Sequence, residues 1–450
     1  MKLKSVLGVM LACLVAASCS KHDDGADVLK GEETWVALSL GKQKTYASSV
    51  GSTNEEKKIN TVDIFFFTPD PTKENSKIEQ IVSFDATKSE LNPTTTGATT
   101  DAFKTTTTAK YMVVLVNAPS AFIADIKAYD NIEGNDLKLG DLLPGGQFGN
   151  FEAADEAVFN SQYAKNVAGQ GNFVMVNDNP TELVSFPLQH DRGALNPVPI
   201  SVGRIVSKVV VWYSLNRTLE LSFSNSKDDF NSVDYHVSEV SALLDNKNRK
   251  SFVLADNGVG VNLKDPNFSS YNTSEFLVLG SDYNSNFETN KVNVNGLESS
   301  APFYCFENTI EQDWGVSKYA YEDNSTNLIL RLKLNNGNTF YMTERGTLTT
   351  NPSHSEGKKY TYTNGYCYYR IYLKRTGVKI PNSAPLEADY YDAYGVVRNN
   401  LYDVTINAVN SIGSHTIAAL QAKPILTANL LNVDITVKDW ELTTNIVEIP

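Results

Sequence analysis

NVDITVKDW, residues 432–440, is the stretch of this chain whose pattern decides its fold class. Seven apolar residues of this stretch and of its continuation to the C-terminus carry the pattern, namely Val433, Ile435, Val437, Trp440, Leu442, Val447 and Ile449. The first three alternate with polar residues, and a period of two is typical of a β-strand with one buried face. The apolar phase shifts by one residue at Trp440 and shifts back at Val447, which predicts two short strands separated by a bulge or bend.

The upstream run VVRNNLYDVTI, residues 396–406, predicts another strand, because Tyr402, Val404 and Ile406 share one face. A strand at the end of a chain has an unpaired edge, and such an edge invites pairing with other chains. The C-terminal strand is therefore either an ordinary edge strand of its own sheet or a strand made for a neighbouring molecule.

The rest of the chain has the pattern of strands separated by turn residues. A chain of 450 residues is longer than a single hydrophobic core usually supports, so more than one domain is expected. Its 22 Tyr and 20 Phe residues favour β-structure. Turn-rich residues 189–197 predict a domain boundary, and the β-branched run from Ile200 to Tyr213 predicts the first strand of a second domain. Helix is expected between Ala118 and Ala157. The pattern predicts a mostly β chain of β-sandwich domains.

The first nineteen residues have the features of an export signal. Lys2 and Lys4 form a positive start, residues 6–17 form an apolar core too short to span a bilayer, and small residues precede Cys19. The sequence AASC, residues 16–19, resembles a lipobox, in which Cys19 becomes a lipidated N-terminus after cleavage. An ordinary signal peptide that contains a cysteine is the alternative.

The sequence shows no constellation of catalytic or metal-ligating residues. The five His residues are scattered, and no phosphate-binding glycine loop, GxSxG elbow or EF-hand pattern occurs. We therefore expect no enzyme activity, no metal and no cofactor. The net charge of −13 argues against nucleic acid as a partner.

Cys305 and Cys367 are the cysteines that follow Cys19, and each lies in an aromatic run. In an oxidising compartment they either form a disulfide or remain two buried free thiols, and the sequence leaves both alternatives open. The runs FYCF, residues 303–306, and YCYY, residues 366–369, are expected to pack in the core. A sugar-stacking platform is the alternative for them.

Two C-terminal runs, residues 396–406 and LLNVDITVKDWELTTNIVEIP at 430–450, resemble the C-terminal signature of Bacteroidales-type fimbrillins, the type V pilins. Within that family the chain is most similar to the shaft subunit of the minor fimbrium. Weaker likenesses are ETWVALSLG at 33–41, EEKKINTVDIFFFTP at 55–69, AKYMVVLVNAP at 109–119 and VPISVGRIVSKVVVWYS at 198–214.

The resemblance implies two transthyretin-like β-sandwich domains, with short helices in the N-terminal one. It implies an adhesive fimbrial shaft subunit that passes the periplasm and reaches the outer membrane as a lipoprotein, acylated on Cys19. A maturation protease would then remove the first strand, Thr34–Leu40. The C-terminal strands of an identical or related subunit would fill the groove, which is donor-strand exchange. The alternatives are an anchor or tip subunit and a surface glycan- or peptide-binding lipoprotein.

On this basis we expect five segments along the chain. These are a signal peptide at 1–18, a lipid-anchor linker at 19–32, an N-terminal β-sandwich domain at 33–196, a C-terminal β-sandwich domain at 197–429 and C-terminal donor strands at 430–450. The donor residues are the seven apolar positions named above. The receptor to which such a fimbria would adhere is not indicated.

The chain departs from the family at the expected maturation site. The resemblance implies cleavage by an arginine-specific protease after the first strand, but the first arginine of this chain is Arg192. The loop that follows the first strand offers lysines, and a lysine cannot reproduce the bidentate contacts of an arginine. We therefore expect a lysine-directed or broader trypsin-like protease to cut at Lys42 or Lys44.

Overall fold

Alternating and β-branched runs form strands along most of the chain. The computed structural model describes residues 31–41, 56, 58–94, 97–164, 173–177, 181–182, 191–193, 195–214, 233–254, 256–257, 263–267, 274, 276–279, 283–293, 297–309, 325–373, 395–420 and 431–439.

The strands of the first half are β1 Glu33–Val36, β2 Leu38–Gly41, β3 Thr61–Phe67, β4 Ile78–Asp85, β5 Leu91–Thr94, β6 Gly97–Thr100, β7 Phe103–Thr106, β8 Tyr111–Val116, β9 Asn150–Glu152, β10 Met175–Val176, β11 Thr181–Glu182, β12 Val198–Ser201 and β13 Gly203–Arg204. The helices are α1 Ser120–Asp130, α2 Leu139–Leu142, α3 Glu156–Phe159 and, in the second half, α4 Tyr283–Thr289.

The strands of the second half are β14 Val206–Ser214, β15 Glu239–Asp245, β16 Lys247–Asn248, β17 Lys250–Phe252, β18 Asp256–Asn257, β19 Leu263–Lys264, β20 Phe276–Leu277, β21 Lys291–Asn293, β22 Leu297–Ser299, β23 Phe303–Phe306, β24 Asn327–Lys333, β25 Phe340–Met342, β26 Leu348–Thr349, β27 Tyr360–Tyr362, β28 Tyr366–Tyr372, β29 Asn400–Val409 and β30 Leu431–Asp439.

The first sandwich is built from two sheets. One has the order β13-β10-β8-β3-β4, with β11 also on β8, and the other has the order β12-β2-β6-β5. Their inward side chains share one core, to which the helix residues Ile123 and Ile126 also belong. Consecutive Phe65 and Phe66 are both fully buried, because the sheet that carries them is covered on both faces.

The second sandwich repeats this plan with a separate core. One sheet has the order β22-β14-β29-β30, with β23 also on β14, and the other has the order β21-β15-β24-β28. β14 and β29 run parallel, with Val211 opposite Val404. Apolar residues of both sheets, among them Val209, Leu330 and Tyr402, form the core between them. The prediction of a mostly β chain with two β-sandwiches and short helices in the first is confirmed.

A short sheet links the two halves of the chain, since β17 pairs with β9 of the first half. A buried ion pair of the second half lies beside β17. The Arg398 guanidinium donates to both carboxylate oxygens of Glu307, with Nε 2.9 Å from Oε2, and to the carbonyl oxygen of Phe252 at 2.7 Å. The bidentate contact with Glu307 orients the guanidinium, and the hydrogen bond to Phe252 ties the residues ahead of β29 to β17.

The β-branched run from Ile200 to Tyr213 contains parts of three strands rather than one. β12 and β13 pair with β2 and β10 of the first sandwich, and only β14 belongs to the second. The predicted boundary at residue 196 therefore precedes two strands that pair with the first sandwich. Val202 and Ile205 separate the three strands, and both are β-branched residues that would also fit within a single strand.

Cys305 and Cys367 are free and fully buried. Of the two alternatives that the sequence leaves open, the structure has the one with two buried thiols. Burial raises the pKa of each thiol to about 12. A thiol with this pKa has almost no thiolate at neutral pH, and the thiolate is the reactive form.

We expect a chain that begins at Ser20 to resist iodoacetamide at Cys305 and Cys367 while it is folded, since both thiols are buried and protonated. After denaturation without reductant, both should be alkylated, which the mass of the intact protein measures. Alkylation that requires a reductant would show a disulfide instead.

Candidate functional site

The segment predicted as the first strand contains β1 at a sheet edge and β2 in the interior of another sheet. β2 lies between β6 and β12, antiparallel to β6 and parallel to β12. β1 continues along β7, with Glu33 opposite Thr106 and Val36 opposite Phe103. We call the space filled by residues 33–41, between β6–β7 and β12, the strand slot.

The strand slot has one apolar and one polar face. Thr34, Val36, Leu38 and Leu40 point inward, and Leu38 and Leu40 are fully buried in the first core. Gly97 lies against the backbone of Leu40 so closely that a Cβ atom there would meet the Leu40 carbonyl oxygen at 1.8 Å. The floor of the slot is thus shaped for a backbone as well as for apolar side chains.

The sequence predicts one strand from Thr34 to Leu40, whereas the structure has two, interrupted at Ala37. The Ala37 carbonyl oxygen accepts a hydrogen bond from the Val198 backbone N–H at 2.8 Å. The Leu38 N–H donates to the Thr100 hydroxyl at 3.0 Å instead of to a strand carbonyl. At this residue the chain passes from one sheet to another, and the apolar alternation continues through the change.

The outward face of β1 carries a cluster of charges around Trp35. Lys104, directly opposite Trp35 on β7, has its Nζ 5.6 Å from the Trp35 ring centre and 2.8 Å from a carboxylate oxygen of Glu33. The Arg192 guanidinium carbon lies 5.8 Å from the same ring. Two cations therefore flank one aromatic side chain, an arrangement stabilised by the electrons of the ring face.

Glu56 anchors the chain ahead of β3. Its buried carboxylate lies 2.9 Å from Nζ of Lys208 on β14 and accepts a hydrogen bond from the Tyr304 hydroxyl at 2.6 Å. Its backbone carbonyl oxygen accepts from the Arg204 guanidinium at 2.8 Å. Burial lowers the pKa of Arg204 to about 10. This value is still well above 7, and the side chain therefore remains charged at neutral pH.

A second anchor follows within a few residues. The Asn117 side-chain oxygen accepts from the backbone N–H groups of Asn60 and Thr61 at 2.8 Å and 3.2 Å, and its amide donates to the carbonyl oxygen of Lys58 at 2.8 Å. The start of β3 is therefore held by contacts that do not involve β1 or β2. Removal of the first strand would leave both anchors in place.

The C-terminal strand lies at the edge of its own sheet. β30 pairs antiparallel with β29, with Val433 opposite Ile406 and Ile435 opposite Val404. Ile435 is buried in the second core, and Val433 packs against it. For residues 431–439 the structure has the ordinary edge strand, one of the two alternatives of the sequence analysis.

Several predicted site residues lie outside the described part of the chain. These are Cys19, Lys42, Lys44, Trp440, Leu442, Val447 and Ile449. For Val437 the structure describes the backbone and not the side chain. Their roles stay predictions. Glu56, Lys104 and Arg192 were not predicted, because contacts between residues far apart in the sequence bring Lys104 and Arg192 to Trp35 and bring Glu56 to Lys208.

The aromatic runs form no exposed platform. Phe306 and Tyr369 are buried in the first and second core, as the core-packing interpretation expects. Among the described residues, no group of three or more His, Cys, Asp or Glu side chains could hold a metal ion. In the same part of the chain, no helix combines the length and hydropathy needed to cross a membrane.

Residues 360–445 match the family described as major fimbrial subunit protein type IV, fimbrillin, C-terminal. This match covers β27 to β30 and continues past the last described residue. Among curated proteins, none matches the chain significantly.

Two solved structures are similar in fold over nearly the whole chain. The fimbrillin FimA of Porphyromonas gingivalis W83 has 14% identity and a TM-score of 0.46, with 92% of this chain and 99% of that chain covered. The tip fimbrial protein Mfa3 of Porphyromonas gingivalis, with a C-terminal truncation, has 11% identity and a TM-score of 0.43, with 91% and 100% covered.

We expect Glu56→Gln to lower the free energy of unfolding by about 3–5 kcal/mol, because it leaves Lys208 buried without its counter-charge. Urea unfolding followed by tryptophan fluorescence measures this. The matched control is Glu133→Gln on an exposed turn, which should change stability by less than about 0.5 kcal/mol. Equal midpoints for the two variants would contradict the anchoring role.

Proposed function

Because residues 360–445 match the fimbrillin C-terminal family, we propose that this chain is a shaft subunit of an adhesive cell-surface fimbria, polymerised by donor-strand exchange. The family match by itself supports a fimbrial subunit. The observation that carries the finer proposal is the strand slot, whose occupant includes β2, a strand that is paired on both sides. Once a cut after Gly41 releases this segment, a strand of another molecule can take its place.

Release of residues 33–41 opens a site that has to be refilled. The burial of Val36, Leu38 and Leu40 contributes about 1.5–3 kcal/mol for each side chain. The backbone groups of β6 and β12 that pair with β2 also lose their partners. An incoming strand recovers both contributions, which is β-strand addition to an open sheet.

The end of the chain is the natural source of the incoming strand. β30 already leads along a sheet edge to Asp439, and residues 440–450 continue beyond it. Eleven extended residues span about 36 Å, enough for a slot filled by the nine residues 33–41. Val433 and Ile435 pack in the core of their own molecule, and Val437 lies on the same strand, opposite Tyr402. We therefore take Trp440, Leu442, Val447 and Ile449 as the residues that are donated to the neighbouring molecule.

Export and maturation complete the proposal. Cys19 would carry the lipid of a surface-exported precursor, and a cut at Lys42 or Lys44 would release the lipid together with β1 and β2. Both lysines precede Glu56, so the anchored part of the chain begins after the cut. An uncut chain would keep its lipid and its filled slot, as an anchor subunit does.

A chain that ends at Asp439 should fold, be cut and remain monomeric, because it keeps β30 but lacks the donor residues. Unboiled gel electrophoresis of surface-sheared material shows ladders for polymers, and circular dichroism verifies the fold. The full-length chain is the control. Persistent ladders from the shortened chain would exclude residues 440–450 as the donor.

Lys42→Gln combined with Lys44→Gln should abolish maturation, because a neutral side chain cannot pair with the acidic specificity pocket of a lysine-directed protease. N-terminal sequencing of assembled filaments should give a start between Gln43 and Ile59 for the unaltered chain. Lys57→Gln is the control and should mature normally. An acylated start at Cys19 in assembled filaments would overturn the shaft assignment.

A further inference from the structure

The outward face of the strand slot holds two cationic side chains whose partners, Glu33 and Trp35, lie on β1. Lys104 pairs with Glu33 at 2.8 Å, and among the described residues no other carboxylate lies within 4 Å of its Nζ. Arg192 contacts the Trp35 ring and, in the same part of the chain, makes no ion pair. Removal of residues 33–41 takes away Glu33 and Trp35 together, and the open slot is then left with two uncompensated positive charges.

The residues around Trp440 have the same period-two alternation as the segment that fills the slot. The slot takes its inward side chains from Thr34, Val36, Leu38 and Leu40. At the same spacing the C-terminal segment has Trp440, Leu442, Thr444 and Ile446. Both sets are three apolar residues and one threonine.

The outward positions agree as well. When Trp440 takes the place of Thr34, Asp439 falls at the position of Glu33 and Glu441 at that of Trp35. The residue at position 35 lies directly opposite Lys104 in the register of β1 and β7. The other two apolar phases of the C-terminal segment would bring less negative charge outward. If the residues from Val433 onward pointed inward, the outward residues would be Asp434, Thr436 and Lys438. If Val447 and Ile449 pointed inward, the outward residues would be Ile446, Glu448 and Pro450.

We propose that Lys104 and Arg192 form a cationic rim that fixes the register of the incoming strand by pairing with Glu441 of a second copy of this chain. Residues 439–446 of that copy then replace residues 33–40, in the same direction along β6–β7. Of the donor residues named above, Trp440 and Leu442 take inward positions in this register, and Val447 and Ile449 follow past the replaced residues. This inference rests on the proposed donor-strand exchange and adds its register. Opposite charges at such an interface raise the association rate and disfavour strands in a wrong register.

The test uses full-length precursors matured in vitro with a lysine-specific protease. Glu441→Arg introduces a cation without a new lysine cleavage site. We expect polymerisation about tenfold slower than for the unaltered chain, because three cations then meet at the rim. High salt should reduce the difference, since charges at a rim are screened.

Two further variants complete the test. Glu448→Arg adds the same charge beyond the matched segment and should polymerise at the normal rate. Lys104→Glu combined with Glu441→Arg restores one opposite pair and should polymerise faster than Glu441→Arg alone.

Normal polymerisation of Glu441→Arg, or no recovery in the double variant, would overturn the register. Neither result would contradict donor-strand exchange itself, because the variant that ends at Asp439 tests that proposal separately.

Discussion

The hydrogen bonding of β2 on both sides is the constraint on which the first sandwich depends. A strand between β6 and β12 completes a sheet that would otherwise have two open edges. Leu38 and Leu40 also fill the core beneath that sheet. In the proposed maturation, a cut at Lys42 or Lys44 would release this interior element, because both lysines follow Gly41, the last residue of β2.

The anchors behind that loop determine how far the effect of a cut extends. Glu56 is tied to Lys208 and Tyr304, and Asn117 holds residues 58–61. None of these contacts uses the strand that leaves. Loss of β1 and β2 therefore opens one slot while β3, in the middle of the other sheet, stays fixed. A buried charged group is costly unless it is paired, so the Glu56 cluster holds its place strongly.

Periodicity predicted the fold class, because Val433, Ile435 and their neighbours alternate clearly and the buried face of each strand follows from that alternation. Periodicity could not show that the β-branched run from Ile200 to Tyr213 is broken at Val202 and Ile205. Both residues fit within a strand, and a change of strand partner does not require another residue type there. It also could not place Lys104 opposite Trp35, because the pairing of β1 with β7 joins residues about seventy positions apart.

The strand slot belongs to the first core and the edge strand β30 to the second, so the two surfaces lie on different parts of one molecule. In the proposed donor-strand exchange, the slot of one copy receives the segment that follows β30 of the next copy, which is a heterologous contact. Such contacts would produce either a closed ring or an open helix, and a growing array would keep an empty slot at one end and a free donor segment at the other. On this proposal, the polarity of the filament would already be encoded in the single subunit.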